Sequence, residues 1–296
     1  MRVHDVHVSV ENLILVFVAG LATALATGIG ALPFFFVDDF SDRWNVALWG
    51  IASGIMVSAS LFGLVDEGLA YASDRLPTLL IGGVIAGIVL VEASDRLLDG
   101  AEFGAVDDAG DVHLGEEGGH SERVLGAQAF AEGDVKKLAL ILGILTVHSF
   151  PEGVAVGVSF AELGLDSGIP ILGFSVPLLA VFMTVAISIH NVPEGTAIAI
   201  PMRAMGLSNW RMVGAAVFSS LPQPIGAVIA FAFVTWAREF LPFGFGFAAG
   251  AMVYLVITEF IPEALETGAD LPHRGHLELL GGIGAGVVVM IPLLYI

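Results

Sequence analysis

His148 and Glu152 stand four residues apart within one apolar stretch, and His190 and Glu194 repeat that spacing within the next. On a helix, residues four apart share a face. Antiparallel helices with these faces together bring His148 towards Glu194 and Glu152 towards His190. Two imidazoles and two carboxylates then converge, a donor set that a tetrahedral divalent metal such as zinc accepts. A charge at the centre of a membrane span costs about 2.5–3.5 kcal/mol on insertion scales. One His or Glu in a span is readily explained as a packed, hydrogen-bonded residue, and one proline as a kink. Both hexapeptides together, His148-Ser-Phe-Pro-Glu-Gly153 and His190-Asn-Val-Pro-Glu-Gly195, point instead to a path for metal.

Pro151 and Pro193 each remove a backbone donor and crowd the preceding turn, so a helix is expected to open there, freeing carbonyls for a cation or water. Gly153 and Gly195 allow close backbone approach.

The elements that must position these residues follow from composition. Of 296 residues, 56% are hydrophobic and 14% charged, against about 45–50% and about 25% in an average soluble domain. Lipid must cover much of such a chain. A spanning helix needs about 20 mainly apolar residues, and eight stretches qualify: Leu13–Val37, Trp44–Val65, Pro77–Leu98, Lys137–Phe160, Ile171–Ile200, Met212–Trp236, Phe243–Ile261 and Leu277–Ile296. The first lacks a strongly basic leader and is longer than a signal-peptide core, so it reads as a retained helix. The reading is an all-α membrane protein, one transmembrane domain over 1–296. Its one long connection, 99–136, is acidic, Gly-rich and expected to be disordered.

Arg2, Arg75 and Arg238 fall on one side of this layout; Arg43, Arg96, Arg123, Lys136, Lys137, Arg203, Arg211 and Arg274 fall on the other. The positive-inside bias places the long loop in the cytoplasm and both termini outside, in a multi-pass plasma-membrane protein. Gly54-Ile-Met-Val57 in the second span is echoed by Gly250-Ala-Met-Val253 in the seventh, as the hexapeptide of the fourth is in the fifth. Each pair runs in opposite directions, the pattern of an inverted repeat with its site at the interface. The net charge of −19 sits in loops and termini, which reads first as a general surface adaptation and second as a means of gathering cations. With no cysteine, disulfides and thiolate ligands are excluded.

With both hexapeptides in view, the chain resembles the ZIP (Zrt/Irt-like) metal transporters, nearest the prokaryotic GufA-type branch. The resemblance also covers Gly250 to Tyr254 and Pro262 to Ala264. It implies a metal centre on the fourth and fifth spans with His148, Glu152, His190 and Glu194 as ligands. It implies a second site from Ser149 and Asn191, sharing Glu152 and Glu194, with Gln223 standing where relatives often supply a Glu. Ser149 and Gln223 are neutral donors, so this second site is expected to be weak or absent. Zinc is then a transported substrate, and no cofactor is expected. His113 and His120 in the long loop match a region that is often His-rich in relatives, though a plain acidic linker explains them better. Glu259 and Glu263 are candidates to line an inner exit and Asp66 and Glu67 an outer mouth, each equally explained as a helix-end charge.

Other classes fit less well. There is no His-Glu-x-x-His for a metalloprotease, no pair of Glu-x-x-His motifs on the spans for a di-iron enzyme, and no embedded Lys for a retinal Schiff base. The chain is therefore read as no enzyme and no nucleic-acid binder. A metal sensor with the same site, or transport of iron, manganese, cobalt or cadmium, are the competing readings. Because ligands bind metal when deprotonated, acid should weaken uptake. The run Gly281, Gly282, Gly284, Gly286 suggests close helix contacts, within the chain or across a homodimer.

Overall fold

A computed structural model of the chain describes residues 9–37, 41–71, 77–106, 148–163 and 168–291. Helix α1 (Val10–Gly30) starts at Ser9, whose side chain accepts from the Asn12 amide at 3.1 Å and satisfies one of the orphan donors of the first turn. Helix α2 (Asp42–Ser58) runs on through a π-helical turn at Ala59–Val65 and a further helical turn at Asp66–Ala70. Helix α3 spans Thr78–Val106, and α4 covers 148–159. Then come α5 (Leu178–Ala204), α6 (Asn209–Ser219), α7 (Pro222–Trp236) and α8 (Leu241–Leu255), the last prolonged by a π-turn at Val256–Phe260 and by Ile261–Thr267. Helix α9 is His276–Met290.

Five of these helical stretches are long and apolar enough to cross a membrane, and Thr78–Ser94 adds a shorter apolar one. The side chains distribute as lipid exposure requires. Ile14, Val18, Leu25 and Ile29 of α1 face outward, as do Ile81, Ile85 and Val89 of α3, and Ile225, Ile229 and Phe233 of α7. Residues four apart form each outward stripe. Thr23, Thr27, Ser149, Glu152, His190, Asn191, Glu194 and Gln223 are buried within.

The packing rests on glycines. A Cβ on Gly50 or Gly54 of α2 would lie 2.4 or 2.3 Å from the Leu279 or Ile283 carbonyl of α9. Position for position, Gly246 and Gly250 of α8 meet the Leu80 and Val84 carbonyls of α3 at 2.2 and 2.3 Å. The partners reciprocate, with Gly282 and Gly286 against α2 and Gly83 and Gly87 against α8. Elsewhere Gly153 of α4 sits on Gln223 of α7, and its echo Gly195 of α5 on Thr27 of α1. The α2–α9 and α8–α3 contacts are equivalent, as the two sequence echoes lead one to expect. These two pairs run parallel, since residue numbers rise together along each contact. Second with eighth and third with seventh are pairs of like parity, so their parallel packing agrees with eight alternating crossings.

Three expectations need correction. The fifth span does not begin at Ile171: Ile169–Ile171 (β1) and Phe174–Val176 (β2) form an antiparallel hairpin, and the helix starts after Pro177. Leu172 (φ 51°) and Gly173 (φ 87°) make the two-residue turn, the left-handed pair that matches strand twist. The hexapeptide prolines do not break their helices either, and helix continues through both Pro151 and Pro193. Irregular backbone within the long helical stretches occurs instead at the π-turns of α2 and α8 and at the interruption between Ser219 and Pro222. Finally, the third span continues as helix past Leu98 to Val106. The rest of the acidic loop, with His113 and His120, and residues 137–147 of the fourth span lie outside the described residues.

Candidate metal centre

Glu152 of α4 and His190 and Glu194 of α5 converge: their ligand atoms all lie within 4.8 Å of one another. Glu152 is 3% exposed, His190 1% and Glu194 9%, in the middle of an apolar bundle. The glycine one position beyond each Glu makes this possible. Gly153 and Gly195 bring α4 onto α7 and α5 onto α1 at backbone contact, which seats the preceding carboxylates deep inside.

His148, the fourth residue of the set expected from the spacing, is placed differently. Its Nε2 lies 2.5 Å from Glu259 Oε1, on the π-turn of α8. His148 stands one helical turn before Glu152 on α4, so the His148–Glu259 pair borders the cluster. A π-turn shifts the helical register by one residue and recurs at functional sites; here it carries Glu259.

Around His190 the amides fix the proton. Asn191 Nδ2 donates to the Thr23 carbonyl at 2.7 Å and to Gln223 Oε1 at 3.0 Å, which turns Asn191 Oδ1 to His190 Nδ1 at 3.0 Å. An amide oxygen only accepts, so Nδ1 carries the hydrogen and Nε2 the lone pair. His190 Nε2 is buried with no hydrogen-bond partner among the described residues, an orphan that a cation would satisfy. The ring stacks on Phe260, with centroids 5.2 Å apart and planes at 14°. Glu152 Oε1 lies 3.8 Å from Nδ1, while Oε2 accepts from Gln223 Nε2 at 2.5 Å. Two carboxylates and an imidazole lone pair in a dry pocket suit a divalent transition metal.

Asn191 and Gln223 thus lie beside the cluster, tied to each other. Ser149 is fully buried and donates to the Ser219 carbonyl at 3.1 Å. Of the pathway candidates, Glu263 is buried on Ile261–Thr267, and Glu67 lies on the corresponding extension of α2. These two are equivalent positions of the repeat, each equally far beyond its Gly-x-Met motif. Asp66 is exposed, and Glu67 feels the charges of Glu162 and Asp66. The Tyr71 hydroxyl donates to Glu162, and burial together with that bond holds it above the ordinary phenol range. Thr23, Thr27 and Ser220 were missed in the sequence; two threonines four apart in an otherwise apolar first span were the available signal.

The family described as ZIP zinc transporter matches residues 105–293. A zinc transporter of Bordetella bronchiseptica, ZIPB, is 33% identical over 254 residues, covering 85% of this chain and 73% of its own. The zinc transporter GufA of Myxococcus xanthus is 28% identical over 267 residues, covering 88% and 89%. An Arabidopsis thaliana protein is 37% identical over 246 residues, covering 83% of this chain, which spans only 34% of that longer relative. An inside-out bundle of apolar spans, the family match and these relatives agree: the chain is a multi-pass membrane protein that belongs to the ZIP family, whose members are transporters and not enzymes.

Proposed function

We propose that this chain carries a divalent transition metal, zinc first, across the plasma membrane towards the cytoplasm, and that Glu152, His190 and Glu194 with His148 hold it midway. The observation that carries the reading is the meeting of three buried ligand side chains within 4.8 Å, on two helices whose hexapeptides repeat one another. The buried His190 Nε2, without a hydrogen-bond partner among the described residues, adds a donor for the cation. Names of the relatives support zinc as the cargo, and similarity to GufA supports the GufA-type branch.

In this reading metal sheds water at the outer mouth near Asp66 and Glu67 and is taken by Glu152 and His190. Glu194 neutralises the second charge of the cation, and His148 leaves Glu259 to complete the set. Release runs past Glu259 and Glu263 to the side bearing more Lys and Arg. The long loop lies there, and both termini lie outside. Zinc is cargo and not a cofactor; a homodimer is part of the same reading.

Zinc flux into proteoliposomes, native against Glu152→Ala/Glu194→Ala, tests it. Flux with the native chain alone is expected. Equal flux in both would remove the site from the path. Zinc binding without flux, lost in the double variant, would favour a metal sensor; flux of iron(II) or manganese(II) in place of zinc would reassign the cargo.

A further inference from the structure

Of the three side chains offered as ligands for a second metal, Gln223 and Asn191 are hydrogen-bonded to each other and to the first cluster, and Ser149 is turned to the backbone. Gln223 Oε1 accepts from Asn191 Nδ2 at 3.0 Å and lies 2.6 Å from the Thr23 hydroxyl, whose single hydrogen it shares with the Gly20 carbonyl at 2.7 Å. Gln223 Nε2, a donor only, points at Glu152 Oε2 from 2.5 Å. Asn191 gives both Nδ2 hydrogens, to the Thr23 carbonyl and to Gln223, and its oxygen takes the His190 Nδ1 hydrogen. Ser149 gives its hydrogen to the Ser219 carbonyl. Gln223, Asn191 and Ser149 are each 0% exposed, so no bulk water competes for these bonds.

We infer that Gln223, held in orientation by Asn191, takes the place of a second cation on Glu152, so that this chain holds a single metal and Gln223 is a positioning residue for it. Its N–H fixes Glu152 Oε2 and leaves Oε1 for the metal, while the same relay, through Asn191, keeps the lone pair of His190 on Nε2. Charge leads to the same count. Glu152 and Glu194 neutralise one divalent cation; a second would leave two uncompensated charges among apolar helices, which is costly. Outer partners that orient metal ligands typically change affinity about 10–100-fold when removed.

This inference rests on the proposal that Glu152 holds the transported metal, and one titration separates the two. Zinc bound per chain is measured on the detergent-purified full chain, native, Gln223→Met, and Gln223→Glu/Asn191→Asp, with cobalt(II) visible spectra beside it. One equivalent is expected in the native chain and two in the double variant, which adds two carboxylates. Gln223→Met should keep one equivalent, bind it about 10-fold or more weakly, and change the cobalt spectrum, with a lower thermal midpoint because Asn191 and Glu152 lose a buried partner. Two equivalents in the native chain would overturn the inference and leave the proposed function standing; none would overturn the proposed function itself. If the double variant does not fold, native-like affinity and spectrum in Gln223→Met would still overturn the inference.

Discussion

Among the residues bordering the cluster, His148 is the one with a rival partner. A carboxylate 2.5 Å from its Nε2 competes directly with metal for that nitrogen. Removing the rival should release the imidazole to the centre. Glu259→Ala is therefore expected to tighten equilibrium zinc binding several-fold while slowing vesicle uptake, because the stronger site now lacks its route out. Looser binding in that variant would make Glu259 a ligand and not a competitor. Protons act at the same place. Imidazole and carboxylate must shed protons to bind metal, so uptake at sub-saturating zinc should fall as external pH is lowered. Uptake that rises steadily with acidity would contradict protonation at the ligands. The types and spacing of His148, Glu152, His190 and Glu194 were legible in the chain because helical geometry alone puts positions four apart on one face. The partnership of His148 with Glu259, 111 residues away, and the relay from Thr23 to Gln223, 200 residues apart, were not, since only packing brings such residues together.

At the level of helices, the glycine contacts divide cleanly into those that face a neighbour and those that do not. A side chain on Gly250 would come within 2.3 Å of the Val84 carbonyl, whereas Gly281 and Gly284 have nothing within 4 Å. Gly250→Val should lower the thermal midpoint of the purified protein steeply, overpacking of a well-packed site costing about 1–3 kcal/mol or more. Gly281→Ala should be neutral or slightly stabilising, as Ala is favoured over Gly in helices by roughly 0.5–1 kcal/mol. Equal losses in both would mean that Gly281 faces a partner chain. The glycine run in the last span thus splits into inward Gly282 and Gly286 and outward Gly281 and Gly284, a distinction that needs the phase of α9 against α2. The hairpin at Ile169–Val176 was hidden for a related reason: Ile, Leu, Phe and Val serve a strand as readily as a span, and only the turn at Leu172-Gly173 decides. The π-turns left no mark in the sequence beyond the echo that precedes each. The repeat is also chemically uneven, since Gly63 in the turn of α2 occupies the position that Glu259 takes in α8.

For the molecule as a whole, orientation can be read directly, because a chain without cysteine offers a silent background for labelling. Leu172→Cys at the exposed hairpin tip should react with a membrane-impermeant maleimide on intact cells, and Ser208→Cys, between α5 and α6, only after permeabilisation. The reverse pattern would invert the proposed topology and with it the direction of transport. Backbone-to-backbone contact joins α2 with α9 and α3 with α8, while α1 gathers α5, α6 and α7, α4 lies on α7, and α2 also packs along α5, so the two groups share a broad seam. Glu152, His190, Glu194, Asn191, Gln223 and Thr23 all belong to the second group; Glu259 and Phe260 belong to the first and reach His148 and His190 across that seam. Contacts made with almost no side chain between the backbones have little room to slide, so each fused pair is expected to behave as a plank, with any movement falling at the seam. The ion would then change hands only where plank meets cradle, as His148 lets go of Glu259.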